Sequence, residues 1–198
     1  MFDHPSFDAH ERVVVFNDAA SGLKAVVAVH STALGPAGGG CRLWSYPDPA
    51  DAVTDVLRLS RGMSYKNAMA GLPMGGGKAV ILGPVPDDRR EQVFAAFGRA
   101  VETLGGAYVT AEDVGVSPSD LQTAAEHTSY ISGIETLDGV GGNPSPFTAR
   151  GVCLGLESAA RFAFDRSDIA GLRIAVQGLG GVGMNLAQLL HDRGATVV

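Results

Sequence analysis

Apolar and polar positions alternate over the first 70 residues in a pattern that predicts two strands and a helix. The stretches RVVVFND (12–18) and KAVVAVHS (24–31) are rich in β-branched residues and flank a short turn, which predicts a pair of strands. The segment 51–70 carries apolar residues at helical spacing and predicts a helix with one face in the core. That face consists of Val53, Val56, Leu57 and Ser60.

The alternation of strands and helices continues after this helix. A glycine cluster followed by apolar residues (75–82) predicts a buried strand, and the segment 89–105 predicts an amphipathic helix that ends at a glycine pair. The segment 107–115 predicts a strand that runs into a loop, and 117–128 a short helix with Ser117 as its N-cap. This order is typical of an α/β fold.

A segment rich in glycine, proline and serine (132–151) is the best candidate for a linker. Beyond it, a helix is predicted to begin at Thr148 or Pro146, and the last 27 residues read as strand, glycine turn, helix and strand. The predicted first domain, linker and second domain are residues 1–133, 134–147 and 148–198.

The composition narrows the class of protein. The chain is 45% hydrophobic and 18% charged, which is typical of a globular protein, and its net charge of −6 does not favour a nucleic-acid partner. No segment is long enough to span a membrane, and the N-terminus does not resemble a secretory signal. The two cysteines, Cys41 and Cys153, suit a reducing cytoplasm, and the scattered histidines predict no metal site.

Candidate chemistry begins with Lys78, which follows Gly75, Gly76 and Gly77 and is one of only three lysines in the chain. Glycines allow positive φ and a close ligand approach, so we expect a tight wall around something small, with the lysine at the mouth of the strand. An ammonium group partly removed from water gives up its proton more readily and can act as a general base. A simple glycine turn with a solvated lysine remains the alternative.

Other candidates lie in the neighbouring segments. A second glycine cluster in the segment 34–44 predicts a loop that either lines the same cavity or merely needs positive φ. Lys66 falls near a helix end, where the helix dipole favours a cation. Asp113 and Glu112 lie where a strand ends, which is where ligands collect in open α/β sheets, although Asp113 could instead cap the following helix.

The final segment contains a glycine pattern with a known mechanical role. Gly178, Gly180 and Gly183 match G-x-G-x-x-G directly after an apolar strand and at the start of an amphipathic helix. In that context the glycines provide a tight turn, a close approach for a pyrophosphate, and close packing of helix on strand. We therefore predict a dinucleotide-binding turn.

Five motifs in this order make the chain resemble the glutamate, leucine, phenylalanine and valine dehydrogenase superfamily, nearest to its leucine, phenylalanine and valine members. They are GPAGGGCR, RGMSYKNAMAGLPMGGGKAVI, TAEDVG, GNPSPFTARG and VQGLGGVG. The resemblance implies a three-layer αβα substrate domain followed by the start of a Rossmann dinucleotide-binding domain. It also implies a cytoplasmic homo-oligomer that converts an L-amino acid to its 2-oxo acid and ammonia, with no nucleic-acid, membrane or metal partner.

The resemblance assigns roles to matching residues in the first domain. Lys78 looks like the base that activates water for attack on an iminium carbon, and Asp113 like the acid that carries protons to and from the amino group. Lys66 looks like the anchor of the substrate α-carboxylate, with the backbone at Gly39 and Gly40 nearby.

In the second domain the resemblance implies a cofactor site. Thr148 matches the position whose hydroxyl meets the nicotinamide carboxamide. The glycine turn would hold the pyrophosphate of NAD through Gly178, Gly180, Gly181, Val182 and Gly183. NADP is not excluded, because the acidic residue expected to bind the ribose would lie beyond Val198.

Two departures from the family pattern affect these expectations. Glutamate-specific members carry a lysine where this chain has Gly38, so we expect glutamate to be a poor substrate and an apolar amino acid to be preferred. Gly38 also leaves room that mildly favours a larger substrate such as phenylalanine. The chain stops about a domain early, so on its own we expect little or no activity.

Two other functions were considered. A truncated, inactive relative that acts as a binding or assembly partner remains the alternative. A P-loop is disfavoured, because Leu72 and Ala79 break the G-x-x-x-x-G-K-[ST] pattern at both ends.

Overall fold

The computed structural model describes residues 1–134 and 141–198. The chain divides into two compact units, Met1–Gly142 and Asn143–Val198. The predicted linker, 134–147, includes residues 135–140, which lie outside the described residues. Across the two described ranges, no helix is long and apolar enough to cross a membrane, and no group of three or more His, Cys, Asp or Glu side chains could hold a metal ion.

A six-stranded mixed sheet forms the centre of the first unit. Its strands are β1 (Arg12–Asp18), β2 (Leu23–Ser31), β3 (Ala37–Gly38), β4 (Cys41–Trp44), β5 (Gly75–Leu82) and β6 (Tyr108–Val109). The order is β1-β2-β5-β3-β6, and β4 also pairs with β5. β1 and β2 are antiparallel to their neighbours, whereas β3, β4, β5 and β6 run parallel. The carboxyl ends of the parallel strands therefore share one edge of the sheet.

Helices cover both faces of this sheet. They are α1 (Pro49–Met69), α2 (Arg90–Glu102) and α3 (Pro118–Ala125). Successive residues of β2 point to opposite faces: Val26 and Ala28 share a core with α1, and Val27 and Val29 share one with α2 and α3. This confirms the predicted three-layer αβα architecture.

The helix ends follow from local chemistry. Ser117 caps α3 as predicted, in a capping box with Asp120, and Asp48 caps α1. The prediction that Asp113 could cap α3 is therefore wrong. Gly105 and Gly106, both with positive φ, follow α2 as predicted.

Two predictions about the glycine segments were also wrong. The segment 34–44 is not simply a loop, because it contains β3 and β4, which extend the sheet beside β5. β5 begins at Gly75, so Lys78 lies inside the strand rather than at its mouth. Neither β3 nor the glycine start of β5 could be predicted from the sequence, because glycine weakens the interior of a strand. Only close packing in the folded state compensates for that weakness.

The second unit has the predicted order of strand, glycine turn, helix and strand after a leading helix. Its elements are α4 (Ser145–Phe164), β7 (Arg173–Ile174), α5 (Gly181–Asp192) and β8 (Thr196–Val197). β7 and β8 pair in parallel, and α5 connects them. Ala149 and Cys153 of α4 share a buried core with Leu186 and Leu190 of α5.

Candidate active site

The two glycine clusters lie against each other and against backbone from other segments. A Cβ at Gly39 would overlap the carbonyl oxygen of Gly77, and a Cβ at Gly76 would overlap the backbone of α1 at Ser64. A Cβ at Gly40 would lie 2.6 Å from the Glu112 carbonyl oxygen. Because glycine has no side chain, the main chains of these segments can lie in direct contact. The segments are β5, the β3–β4 segment, α1 and the loop after β6.

Contrary to the prediction, this packing shows that the glycines are not needed for positive φ or for a close ligand approach. None of the residues 38–40 and 75–77 is among the glycines with positive φ. The space beside Gly39, Gly40 and Gly76 is filled by the protein's own main chain, so a ligand does not use it. The glycines determine where neighbouring side chains emerge.

Lys78 emerges from the middle of β5 and contacts Asp113. Its residue is 5% exposed, and its Nζ lies 2.7 Å from Asp113 Oδ2 in the loop after β6. The Asp113 side chain is 24% exposed, so the pair is sheltered but open on the Asp113 side. The structure therefore brings together the residues that the resemblance names as base and proton carrier.

Arg42 of β4 is a third member of this cluster. Its Nε donates to Asp113 Oδ2 at 3.1 Å, and its Nη1 donates to Asp55 Oδ2 of α1 at 2.8 Å. Tyr46 donates to the same Asp55 oxygen at 2.6 Å. Burial and this hydrogen bond to a carboxylate raise the pKa of Tyr46, so its hydroxyl stays a donor.

The charges determine the protonation of Asp113. Burial works to raise its pKa, but the hydrogen bond and charge of Lys78, followed by those of Arg42, outweigh burial and leave the pKa below its ordinary value. The adjacent Glu112 is affected differently, because burial raises its pKa. The pKa of Asp113 is therefore lowered, whereas that of its neighbour Glu112 is raised.

Lys66 is exposed in the last turn of α1, and its neighbour Asn67 fixes that turn to the sheet. Asn67 is buried and donates to the carbonyls of Gly75 at 2.6 Å and Gly38 at 3.3 Å. Lys66 forms no ion pair with any residue in the described ranges. Its ammonium group is available to an external anion.

The two backbone groups predicted to bind substrate differ in availability. The Gly39 N–H donates to the Val109 carbonyl, and the Gly39 carbonyl accepts from the Tyr108 hydroxyl at 2.6 Å. The Gly40 N–H has no acceptor among residues 1–134 and 141–198. Of the pair, Gly40 is the one with a free donor.

The glycine turn of the second unit lies between β7 and α5. Gly178 has φ +88°, and a Cβ at Gly183 would overlap the Gly178 carbonyl oxygen, so both are needed by the turn itself. Gly180, the N-cap of α5, has ordinary φ and nothing within 4 Å of its Cβ position. Val182 packs against the core of the unit. The turn thus leaves exposed space at the N-terminus of α5.

Thr148 lies in the first turn of α4, which begins beside this turn. A Cβ at Gly181 would lie 2.7 Å from Ser145 Oγ, so the N-termini of α4 and α5 are neighbours. The exposed Thr148 hydroxyl donates to the Pro144 carbonyl at 3.0 Å, which leaves its oxygen free to accept a hydrogen bond.

Sequence reasoning missed Arg42, Asp55, Asn67, Tyr108 and Ser145. Arg42 and Asn67 stood inside motifs already singled out, GGGCR and SYKNA, but their partners lie at distant positions in the chain. Tyr108 was recognised only as a strand residue. A charged residue two positions after a glycine cluster was the one available signal for Arg42.

The chain matches known proteins along most of its length. The family model described as "Glu/Leu/Phe/Val dehydrogenase, dimerisation domain" matches residues 10–130, and the one described as "Glutamate/Leucine/Phenylalanine/Valine dehydrogenase" matches residues 141–198. A leucine dehydrogenase from Bacillus subtilis is 49% identical over 189 residues, covering 96% of this chain and 52% of that protein. A valine dehydrogenase from Streptomyces virginiae is 48% identical, covering 98% and 54% respectively.

Solved structures show the same relationship. L-tryptophan dehydrogenase from Nostoc punctiforme has a TM-score of 0.69 at 38% identity, covering 96% of this chain and 53% of that chain. The hetero-hexameric glutamate dehydrogenase from Thermus thermophilus, in its Leu-bound form, has a TM-score of 0.77 at 26% identity, covering 96% and 49%. The chain spans about half the length of these relatives. It belongs to the Glu/Leu/Phe/Val dehydrogenase family.

Proposed function

We propose that the intact protein catalyses the reversible, NAD-dependent oxidative deamination of an apolar L-amino acid to its 2-oxo acid and ammonia. The observation that carries this proposal is the Lys78–Asp113 pair, a sheltered ammonium and carboxylate 2.7 Å apart. Family membership and the dinucleotide-type turn of the second unit support it. The reaction needs one base, one proton carrier and one carboxylate anchor, and the family motifs supply a residue for each.

The two members of the pair would divide the proton transfers. Asp113, held ionised, takes a proton from the substrate amino group. Once Cα has lost its hydride, Lys78, which must first have released its ammonium proton to solvent, takes a proton from water as the water oxygen bonds to Cα. Asp113 returns its proton to the nitrogen, and ammonia leaves as the carbonyl forms, with the remaining hydroxyl proton passing to the Asp113 carboxylate and from there to solvent. Asp113 exchanges protons with the nitrogen on Cα, and Lys78 with the oxygen that bonds to Cα. Because these two atoms share one carbon, two side chains in contact with each other can both reach them.

Lys66 and Gly40 would bind the substrate α-carboxylate. Lys66 is exposed and forms no ion pair within the described ranges, and the Gly40 N–H has no acceptor there. Asn67 fixes Lys66 relative to β3 and β5 through two backbone carbonyls. A carboxylate held by an ammonium and a backbone donor is oriented as well as attracted.

The second unit would bind NAD. When bound, the nicotinamide accepts the hydride from the substrate Cα. Gly178 and Gly183 form the turn, and Gly180 leaves room for the pyrophosphate at the start of α5. The backbone N–H groups of Gly181 and Val182 at the start of α5 would also donate to the pyrophosphate. The Thr148 hydroxyl oxygen would accept a hydrogen bond from the nicotinamide carboxamide.

The substrate preference is proposed from the first glycine cluster. Gly38 provides no cation for a side-chain carboxylate, so glutamate would leave a charge without a partner. The expected free space beside Gly38 is absent, because a Cβ there would lie 2.5 Å from the methyl group of Met74. The thioether therefore occupies the region that was expected to favour a larger substrate. Leucine, valine, isoleucine and phenylalanine all remain in the proposed class.

We also propose that the protein is a cytoplasmic homo-oligomer. Both cysteines, Cys41 and Cys153, are free thiols, which suits a reducing compartment. The matching family model is described as a dimerisation domain, and one structural relative is a hetero-hexamer.

The direct test is the reduction of NAD and of NADP by the full-length protein with leucine, valine, phenylalanine and glutamate in parallel. We expect reduction with one or more apolar amino acids and at least tenfold less with glutamate, about the value of one missing ion pair. Absence of reduction with every amino acid, together with absence of NAD binding, would instead support the inactive binding partner.

A further inference from the structure

We propose that Arg42 is a positioning residue that holds Asp113 ionised and directed at Lys78, and that Asp55 and Tyr46 in turn orient Arg42. The proposal rests on the proposed function, because it assigns a purpose to the environment of Asp113. Nothing in the family motifs required it, since it depends on contacts between β4, α1 and the loop after β6.

The first step is the geometry at Asp113. Lys78 Nζ and Arg42 Nε approach the same oxygen, Oδ2, at 2.7 and 3.1 Å. Two cations on one carboxylate oxygen fix the orientation of the carboxyl group. The other oxygen, Oδ1, accepts no hydrogen bond from any residue in the described ranges. Asp113 is therefore anchored on one side and has its second oxygen available to a substrate.

The second step is the support behind Arg42. Its guanidinium spans Asp113 and Asp55, which lie 58 residues apart in the chain. Tyr46 donates to the Asp55 oxygen that also accepts from Arg42. Burial opposes the charge of Arg42, but the two carboxylates outweigh burial and raise the pKa of the guanidinium. A lysine could not bridge both carboxylates in this way, because the planar fork is specific to arginine.

The third step concerns the groups that face Asp113. Lys78 of β5 and Arg42 of β4 contact its carboxylate, and Cys41 of β4 and Tyr108 of β6 are buried groups on which its charge acts. Burial raises the pKa of the Cys41 thiol and that of the Tyr108 phenol, so both stay neutral near pH 7. The charges that act on Asp113 from these elements are therefore the two cations. While Lys78 is in the neutral form that can act as a base, Arg42 is the cation that remains beside Asp113.

The test uses the full-length protein and two readouts. The first is the pH titration of the Asp113 carboxyl carbon by ¹³C NMR, assigned with Asp113→Asn. In Arg42→Gln we expect the pKa of Asp113 to rise by about one unit, the lower end of the effect of a neighbouring arginine. The second is amino-acid turnover, where we expect kcat to fall roughly tenfold with little change in KM, because the Asp113 carboxylate loses one of the two contacts that fix its orientation.

Two further variants separate charge from orientation. Arg42→Lys keeps a cation and should restore the Asp113 titration while kcat stays reduced. Asp55→Asn keeps Arg42 but removes its support, and we expect a smaller rise in the Asp113 pKa and a smaller loss of kcat. Asp55→Asn also keeps the proposal testable if Arg42→Gln does not fold. Arg193→Gln is the matched control, because Arg193 forms a similarly half-buried pair with Glu157 in the other unit.

The outcomes are distinct. An unchanged Asp113 titration in Arg42→Gln, or a titration that moves to lower pH, would overturn the proposal. A wild-type protein that turns over no amino acid would contradict the proposed function instead, and the NMR titration would still decide whether Arg42 holds Asp113 ionised.

Discussion

Lys78 of β5 forms an ion pair with Asp113 of the loop after β6, with Lys78 Nζ 2.7 Å from Asp113 Oδ2. Lys78 is buried and Asp113 is partly exposed. Neither residue reaches the other through local structure, since 35 positions separate them. Their contact requires the backbone segments that carry them to lie directly against neighbouring main chain, which is possible only at glycine positions. The pair is thus a consequence of the glycine clusters, and this connects the stability of the first unit to its proposed chemistry.

The first prediction concerns that dependence. Gly39→Ala places a methyl group on the Gly77 carbonyl oxygen, and backbone cannot move aside cheaply. We expect the free energy of unfolding to fall by more than about 3 kcal/mol. Denaturant unfolding of the full-length protein measures this directly.

Gly62→Ala is the control for the first prediction. Gly62 lies inside α1 with nothing within 4 Å of its Cβ position, so alanine there should stabilise the protein by about 0.5–1 kcal/mol. Equal, small effects of both substitutions would show that backbone contact at Gly39 is not tight.

A second prediction separates two glycines of the dinucleotide turn. Gly180→Ala has room for its methyl group but replaces a glycine N-cap, so stability should fall by no more than about 1 kcal/mol, whereas NAD affinity should fall at least about tenfold. Gly183→Ala places a methyl group on the Gly178 carbonyl and should lower stability itself. Unfolding and calorimetric NAD titration of both variants test this. Full NAD affinity in Gly180→Ala would contradict a pyrophosphate approach at this position.

A third prediction concerns pH and Asp120 at the start of α3. Burial raises the pKa of Asp120, but hydrogen bonds from Arg90 and Ser117 outweigh it and lower the pKa below the ordinary 3.8. Because the folded pKa is the lower one, the stabilisation is complete above pH 3.8 and is lost as pH falls through the folded value. We expect Asp120→Asn to cost about 1–3 kcal/mol at pH 7 and progressively less below pH 3.8.

Urea unfolding at several pH values between 2.5 and 7, within roughly the range where aspartates titrate, checks this prediction. Glu126→Gln changes an exposed carboxylate just after the same helix and serves as the control. A difference between wild type and Asp120→Asn that stays constant over the whole range would rule out the assigned cause.

A fourth prediction tests Lys66. Lys66→Ala should raise KM for the amino acid by roughly 10–100-fold, the value of a hydrogen bond to a charged group, with a smaller change in kcat. Lys24→Ala removes an exposed lysine of β2 and should leave both constants unchanged. Steady-state kinetics on the two variants decides between a carboxylate anchor and a lysine placed only for the helix dipole.

The sequence was sufficient for most elements because their signals are local. Ser117 predicts the start of α3 as its N-cap, and the spacing of Val56, Leu57 and Ser60 predicts the buried face of α1. The roles of Gly178 and Gly183 in the turn could be predicted for the same reason, because the strand, the turn and the helix follow one another in the sequence. Residue types and positions made Lys78, Lys66, Asp113 and the glycine turn candidates, whereas their roles came from the family motifs.

The errors arose where the cause is a tertiary contact. β3 and the start of β5 are glycine strands that exist because other backbone lies against them, as Gly39 lies against Gly77. The position of Met74 beside Gly38 could not be read from the chain either. Arg42 acquires its meaning only when Asp113, 71 residues later, folds against it.

The proposed chemistry depends most on Lys78, and its removal is the most direct test. In the full-length protein we expect Lys78→Ala to lower the rate of NAD reduction with the best apolar amino acid by about 10²–10⁴-fold, the usual contribution of a general base. NAD affinity should remain unchanged, and Lys24→Ala should keep the wild-type rate. A Lys78→Ala protein that folds, binds NAD and retains the wild-type rate would contradict the proposed mechanism.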